Sequence, residues 1–243
     1  MAANPKKLRV VDAHLEGRST RILEIECVEG GAFEAVGGKY VIVHTGVTLG
    51  DKAVKRAYSL MPVGSRPGFA RLAVKRLDGP GSTALHGAKV GATFGFSGPW
   101  GKLVPEDGLG ERTLLVATDT GITSALGIVE QHAGSPGPRA LEVLWLTGPS
   151  EDFLDVERVR ARLADAGVHL VCAEIGEVDS ASRAGDAWHF IDARARGLQA
   201  IHVVATGDGA IVHPLKGALP SRAPSVRDVR IECFFKKPEK KSA

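Results

Sequence analysis

"KRAYSLMP", Lys55 to Pro62, carries at its centre a permanent cation, a spacer, an aromatic ring and a hydroxyl: Arg56-Ala57-Tyr58-Ser59. The flanks suggest an extended segment. On a strand, residues two apart share a face, so Arg56 and Tyr58 point one way, while Ser59 points the other or offers its backbone at the edge. A guanidinium suits a phosphate oxygen because its planar fork can donate twice. A tyrosine ring offers a stacking surface, and a serine hydroxyl can donate to a ring nitrogen. The same four residues also suit an ordinary edge strand with one surface arginine and one half-buried tyrosine. Taken alone, the stretch leaves both readings open.

Its neighbours narrow the choice. "GGKYVIV", Gly37 to Val43, precedes it as an adjacent strand, and "DGPGSTALHGAKVGATFGFSGPWG", from Asp78, follows. There Gly79, Gly81, Ser82 and Thr83 can form a glycine-rich turn opening onto a short helix, a geometry that presents backbone N–H groups to an anion.

Outward from this point the chain changes character once. Up to about residue 100 it is a series of short runs rich in Val, Ile, Leu and Phe, separated by Gly, Pro or Asp, which predicts an antiparallel barrel or sandwich. "KLVPEDGLGERT" reads as a linker, with a domain boundary near residue 108. Beyond it strands and helices alternate. "TLLVAT" is followed by the helical "GITSALGIVEQHA", "ALEVLWLTG" by the charged "SEDFLDVERVRARLADAG", and "VHLVCAE" by "DAWHFIDARARG". "AIHVVAT" with "GAIVHPLKGAL", and a closing "VRIECFF", complete the pattern of a parallel, doubly wound sheet. The expected organisation is a β-barrel domain over 1–108, an α/β domain over 109–235 and a basic, disordered tail over 236–243.

In order and spacing these segments resemble the ferredoxin–NADP reductase superfamily. The matching pieces are "GGKYV", "RAYS", the "VKR" strand, the "GxxS…LHxxKVGxxF" loop, "GPWGK" and the "LLVATDTGITSALGIVE" segment, which together cover about residues 8 to 235. The resemblance implies an FAD-binding barrel in which Arg56 holds the pyrophosphate, Tyr58 stacks on the isoalloxazine and Ser59 lies near its N5. Gly81, Ser82 and Thr83 would receive the pyrophosphate, with Val74 and Lys75 on the ribityl side. It further implies an NAD(P)-binding domain that receives NADH or NADPH at Thr120, Gly121, Ile122 and Thr123. Thr206 takes the place of the family's cysteine over the nicotinamide, where its hydroxyl could donate a hydrogen bond, and with Tyr58 and Ser59 it makes up the expected catalytic residues. The implied reaction is hydride transfer from nicotinamide to flavin, then electron transfer to a separate ferredoxin-like carrier or oxygenase component.

Three departures from the family pattern suggest an alternative. Asp119 stands where a glycine is expected before "TGIT"; Thr206 and Asp208 stand where the family has cysteine and proline. Carboxylates beside an anionic pyrophosphate would repel it unless they point away, and Asp119 could equally serve as the cap of the following helix. The alternative is therefore an FAD-binding electron-transfer or regulatory subunit with impaired nicotinamide binding. Glu151 and Asp152, expected in the first turn of the helix after the second parallel strand, would disfavour a 2′-phosphate and so favour NADH over NADPH.

Bulk properties exclude other classes. The 243 residues are 44% hydrophobic and 24% charged, ordinary for a globular protein. The net charge of +3 lies largely in "KKPEKKSA", leaving a nearly neutral body that suits neither nucleic acid nor a membrane surface. Cys27, Cys172 and Cys233 are widely separated, without metal or iron–sulfur spacing, as in a reducing compartment. No signal-type segment opens the sequence, and no apolar run approaches the roughly 20 residues of a membrane helix. The expectation is a cytoplasmic protein, with an electron acceptor supplied by another molecule.

Overall fold

A computed structural model describes residues 6–29, 37–64, 66–105, 108–132 and 140–235; the tail expected over 236–243 lies outside them. The chain divides into two compact units, one comprising Met1–Gly101 with Asp152–Val156, the other Lys102–Glu151 with Glu157–Ala243.

The first unit contains β1 (Lys6–Glu16), β2 (Thr20–Glu29), β3 (Tyr40–Leu49), β4 (Lys52–Ser59), β5 (Met61–Pro62), β6 (Phe69–Lys75), α1 (Pro80–His86) and β7 (Thr93–Trp100). Its strands form one antiparallel sheet in the order β4-β3-β7-β1-β2-β6-β5. Period-two alternation builds the core: Leu8 and Val10, Leu23 and Ile25, Val41 and Val43, and Leu72 and Val74 turn inward and meet Leu85 of α1. The sheet is barrel-like but its seam is open, with β4 at one edge and β5 at the other. The short β5 ends in Pro62, which lacks an N–H and cannot extend a ladder. Residues expected to open a helix also behave differently. Asp152 accepts a hydrogen bond from Ser19 Oγ at 2.8 Å, and Phe153 and Leu154 are buried. Burying those two apolar side chains outweighs the helix start read from Glu151 and Asp152, and the helix begins only at Val156.

The second unit runs β8 (Thr113–Thr118), a single 3₁₀ turn (Asp119–Gly121), α2 (Ile122–His132), β9 (Leu141–Thr147), α3 (Val156–Asp165), β10 (His169–Glu174), α4 (Arg183–Gly197), β11 (His202–Asp208), α5 (Gly209–Arg222) and β12 (Asp228–Phe235). Every pairing is parallel, in the order β10-β9-β8-β11-β12. All residues of β8 are buried, as a central parallel strand covered on both faces requires. The winding direction reverses between β8 and β11, so the carboxyl ends of those two strands form the switch point where open α/β sheets take their ligands. No helix among the described residues is long and apolar enough to cross a membrane.

Candidate functional site

In the first unit the site residues gather on edge strand β4 and helix α1. Val54, Arg56 and Tyr58 share one face of β4; Val54 is buried, Arg56 exposed and Tyr58 half-buried. Gly81 lets α1 approach this face: a Cβ there would lie 2.7 Å from Val54 Cγ1 and 3.3 Å from Arg56 Cγ. The Arg56 guanidinium reaches the start of the helix, its Nη2 lying 3.7 Å from where a Gly79 Cβ would be. Arg56 forms no ion pair among the described residues. The first-turn amides of Gly81 and Ser82 are ones that a helix leaves without internal acceptors. One guanidinium and two such amides form a donor set fitted to a diphosphate.

The hydroxyls of this loop serve its own shape. Ser82 Oγ donates to Gly79 O at 2.9 Å and to Leu77 O at 3.0 Å, and Thr83 Oγ1 donates to Gly79 O at 3.0 Å. Thr83 N is already bonded to Gly79 O, so Thr83 shapes the turn and has no amide left for an anion. Burial pushes the Tyr58 phenol up to about 12, against a smaller opposing effect of the Arg56 charge, and the ring is neutral at physiological pH. Ser59 is buried and lies opposite Tyr40 on β3. Val74 is wholly buried and packs in the apolar core. Lys75 is half-buried, its Nζ 3.9 Å from Asp152 Oδ1.

In the second unit the expected residues meet at the switch point. Thr120 is half-buried; Gly121, Ile122 and Thr123 are buried, with Thr123 Oγ1 donating to Thr120 O at 2.9 Å. A Cβ on Gly121 would collide with the carbonyl oxygen of Thr206, so only glycine allows α2 to start against the end of β11. Thr206, expected over the nicotinamide, is buried, and its Oγ1 donates to Gly121 O at 3.0 Å. Its hydroxyl fastens the 3₁₀ turn to β11.

The two carboxylates expected to repel a dinucleotide are also placed otherwise. Arg183, 3% exposed and at the first position of α4, donates through Nη2 to Asp119 Oδ2, and the Asp119 side chain is 5% exposed. Its Nε donates to Asp208 Oδ2 at 3.1 Å, and its Nη1 to Gly176 O at 2.6 Å. Asp208 also caps α5, accepting from Ala210 N at 2.9 Å, while its own amide donates to Thr118 Oγ1 at 2.6 Å. Burial raises the Asp119 carboxyl; Arg183 pulls it back, Glu151 raises it further, and the Gly148 amide lowers it. Neither carboxylate stands unpaired at the crevice, which removes the ground for reading this domain as impaired.

Sequence reasoning missed Arg183 because no spacing points to it: it lies 64 positions from Asp119 and 25 from Asp208. It also gave no role to Glu232, which lies opposite Thr206 on β12 and whose carboxyl burial pushes up to about 7. Among the described residues no group of three or more His, Cys, Asp or Glu could hold a metal ion.

Comparison with known proteins agrees with this geometry. The oxidoreductase FAD-binding domain family matches residues 7–104. Ferredoxin–NADP reductase B of Sorangium cellulosum is 30% identical over 215 residues, covering 86% of this chain and 84% of that protein. A cytochrome P450 reductase of Amycolatopsis has the same fold, with a TM-score of 0.69 at 23% identity, over 95% of this chain and 70% of the other. Phthalate dioxygenase reductase, described as passing electrons from pyridine nucleotides to [2Fe-2S], superposes with a TM-score of 0.66 at 19% identity, over 94% of this chain and 67% of its own. The chain belongs to the ferredoxin–NADP reductase superfamily of FAD-dependent, NAD(P)H-using oxidoreductases.

Proposed function

We propose that the protein is an NAD(P)H-dependent FAD reductase that delivers electrons to a separate acceptor protein, a ferredoxin-like carrier or an oxygenase component. The observation that carries this reading is the Arg56 guanidinium set against the first turn of α1, with Tyr58 beside it on the same strand face. In this reading Arg56 and the amides of Gly81 and Ser82 hold the FAD diphosphate. Tyr58 covers the flavin ring, and Ser59 faces its reactive edge. Thr83 keeps the turn in shape, and Lys75 and the backbone of Val74 flank the cofactor. FAD held there would supply the redox chemistry of hydride uptake and onward electron transfer, and the chain's residues would hold and orient it.

The protein contributes orientation and charge. The turn Asp119–Gly121 and the start of α2, with Thr120, Gly121, Ile122 and Thr123, receive the dinucleotide at the positive end of an 11-residue helix. Glu151 follows the end of β9 and adds negative charge there, which favours NADH over its 2′-phosphorylated form.

The test is anaerobic mixing of the purified yellow protein with NADH and, separately, with NADPH while the flavin absorbance is followed. Both nucleotides should bleach the flavin, NADH faster. Failure of both nucleotides to bleach it, with dithionite still doing so, overturns the reading and leaves an FAD-binding subunit without nicotinamide chemistry.

A further inference from the structure

We propose that Arg183 is a positioning residue for nicotinamide-dinucleotide binding: it holds Asp119 and Asp208 as a buried ion-paired clamp at the switch point, keeping both carboxylates off the path of the anionic ligand. This deepens the reading above and rests on it. The location is the first support. Asp119 begins the turn after β8, and Asp208 ends β11, the two strands between which the sheet reverses. A ligand entering there carries a diphosphate, and two unpaired carboxylates would meet it.

The geometry of the clamp is the second support. Arg183 uses three nitrogens on three acceptors, Asp119 Oδ2, Asp208 Oδ2 and Gly176 O, so its fork is filled and aimed inward. Asp119 sits at a φ of 49°, in the left-handed region, and its carbonyl accepts from Trp145 Nε1 at 2.9 Å. A residue in that conformation stays only where its surroundings fix it, and here the side chain is fixed by Arg183 and the backbone by Trp145. Asp208 is tied at its side chain to α5 and at its amide to Thr118. The clamp thus joins the starts of α2, α4 and α5 around the crevice. One cation serves two carboxylates, so loss of the arginine exposes both charges to the ligand, whereas loss of Asp119 leaves a balanced pair.

Saturation of flavin reduction by NADH, measured anaerobically on FAD-loaded protein, separates positioning from mere stability. Arg183→Met should raise the half-saturating NADH concentration about tenfold, with a smaller effect on the limiting rate. Asp119→Asn, which tolerates the left-handed backbone, should lower it below wild type. Asp119→Asn/Arg183→Met/Asp208→Asn should return it to within about threefold of wild type, although the clamp is gone and the melting temperature falls. A half-saturation in Arg183→Met equal to wild type, or no recovery in the triple variant, overturns the proposal. If Arg183→Met does not fold, Asp119→Asn decides: NADH saturation unchanged or weaker than wild type overturns it. A wild-type protein that neither nucleotide reduces sinks the functional reading and this proposal together; a competent wild type with unresponsive variants sinks the proposal alone.

Discussion

Arg56 and Arg183 are the same side chain in opposite surroundings. Arg56 is exposed at an edge strand and free of carboxylate partners among the described residues, as a phosphate ligand has to be; Arg183 is buried with two carboxylates, as a structural clamp has to be. Arg56→Ala should weaken FAD by about 1.5 kcal/mol, roughly tenfold, the low end for a charge-assisted hydrogen bond because the site is wet. Titration of the apoprotein with FAD measures this, and an unchanged affinity would remove Arg56 from the diphosphate site. Glu232 gives a second expectation at this scale. Burial raises its carboxyl from 4.5 to about 7 in the folded chain. The folded state therefore binds the proton more tightly than the unfolded one. The stabilisation is full below about pH 4.5 and lost as pH rises through about 7. In thermal melts between pH 5 and 8.5, Glu232→Gln should flatten this fall; identical pH profiles for the two proteins would show that Glu232 does not titrate as described.

At the scale of elements, glycines decide how closely helices approach strands. Gly121 admits α2 to the end of β11 and Gly81 admits α1 to β4; in both cases a methyl group would meet neighbouring atoms. Gly217, midway along α5, meets nothing within 4 Å. The two kinds of position predict opposite signs. Gly121→Ala should destabilise by about 1–3 kcal/mol through overpacking against Thr206, and should slow flavin reduction by NADH more than by dithionite. Gly217→Ala should stabilise by up to about 1 kcal/mol through helix propensity alone. Denaturant melts of both variants check the pair, and the same sign for both would break the argument.

At the scale of the whole molecule, each unit has its own core and its own ligand chemistry. The antiparallel sheet offers an edge strand and a short helix whose donors suit a diphosphate; the parallel sheet offers a switch point lined by helix starts. The nearly neutral body makes affinity for either ligand a matter of a few placed charges instead of a general field.

The sequence by itself determined the two sheet types, because period-two runs broken by Gly and Pro differ from apolar strands alternating with amphipathic helices. It also placed Arg56, Tyr58 and Ser59 on one strand, whose alternation is local, next to a glycine-rich loop through Gly81 that turns into a short helix by short-range turn chemistry. The helix start at Glu151 was misread because burial of Phe153 is a tertiary effect that outweighs local charge preference. Only the tertiary structure decided what Asp119, Thr206 and Asp208 do. Read along the chain they are two uncompensated carboxylates and a displaced hydroxyl. Folded, a parallel sheet brings Arg183 from a distant helix onto both acids and turns Thr206 onto Gly121. Charge interactions depend on distance and burial in space, and neither is written in sequence separation.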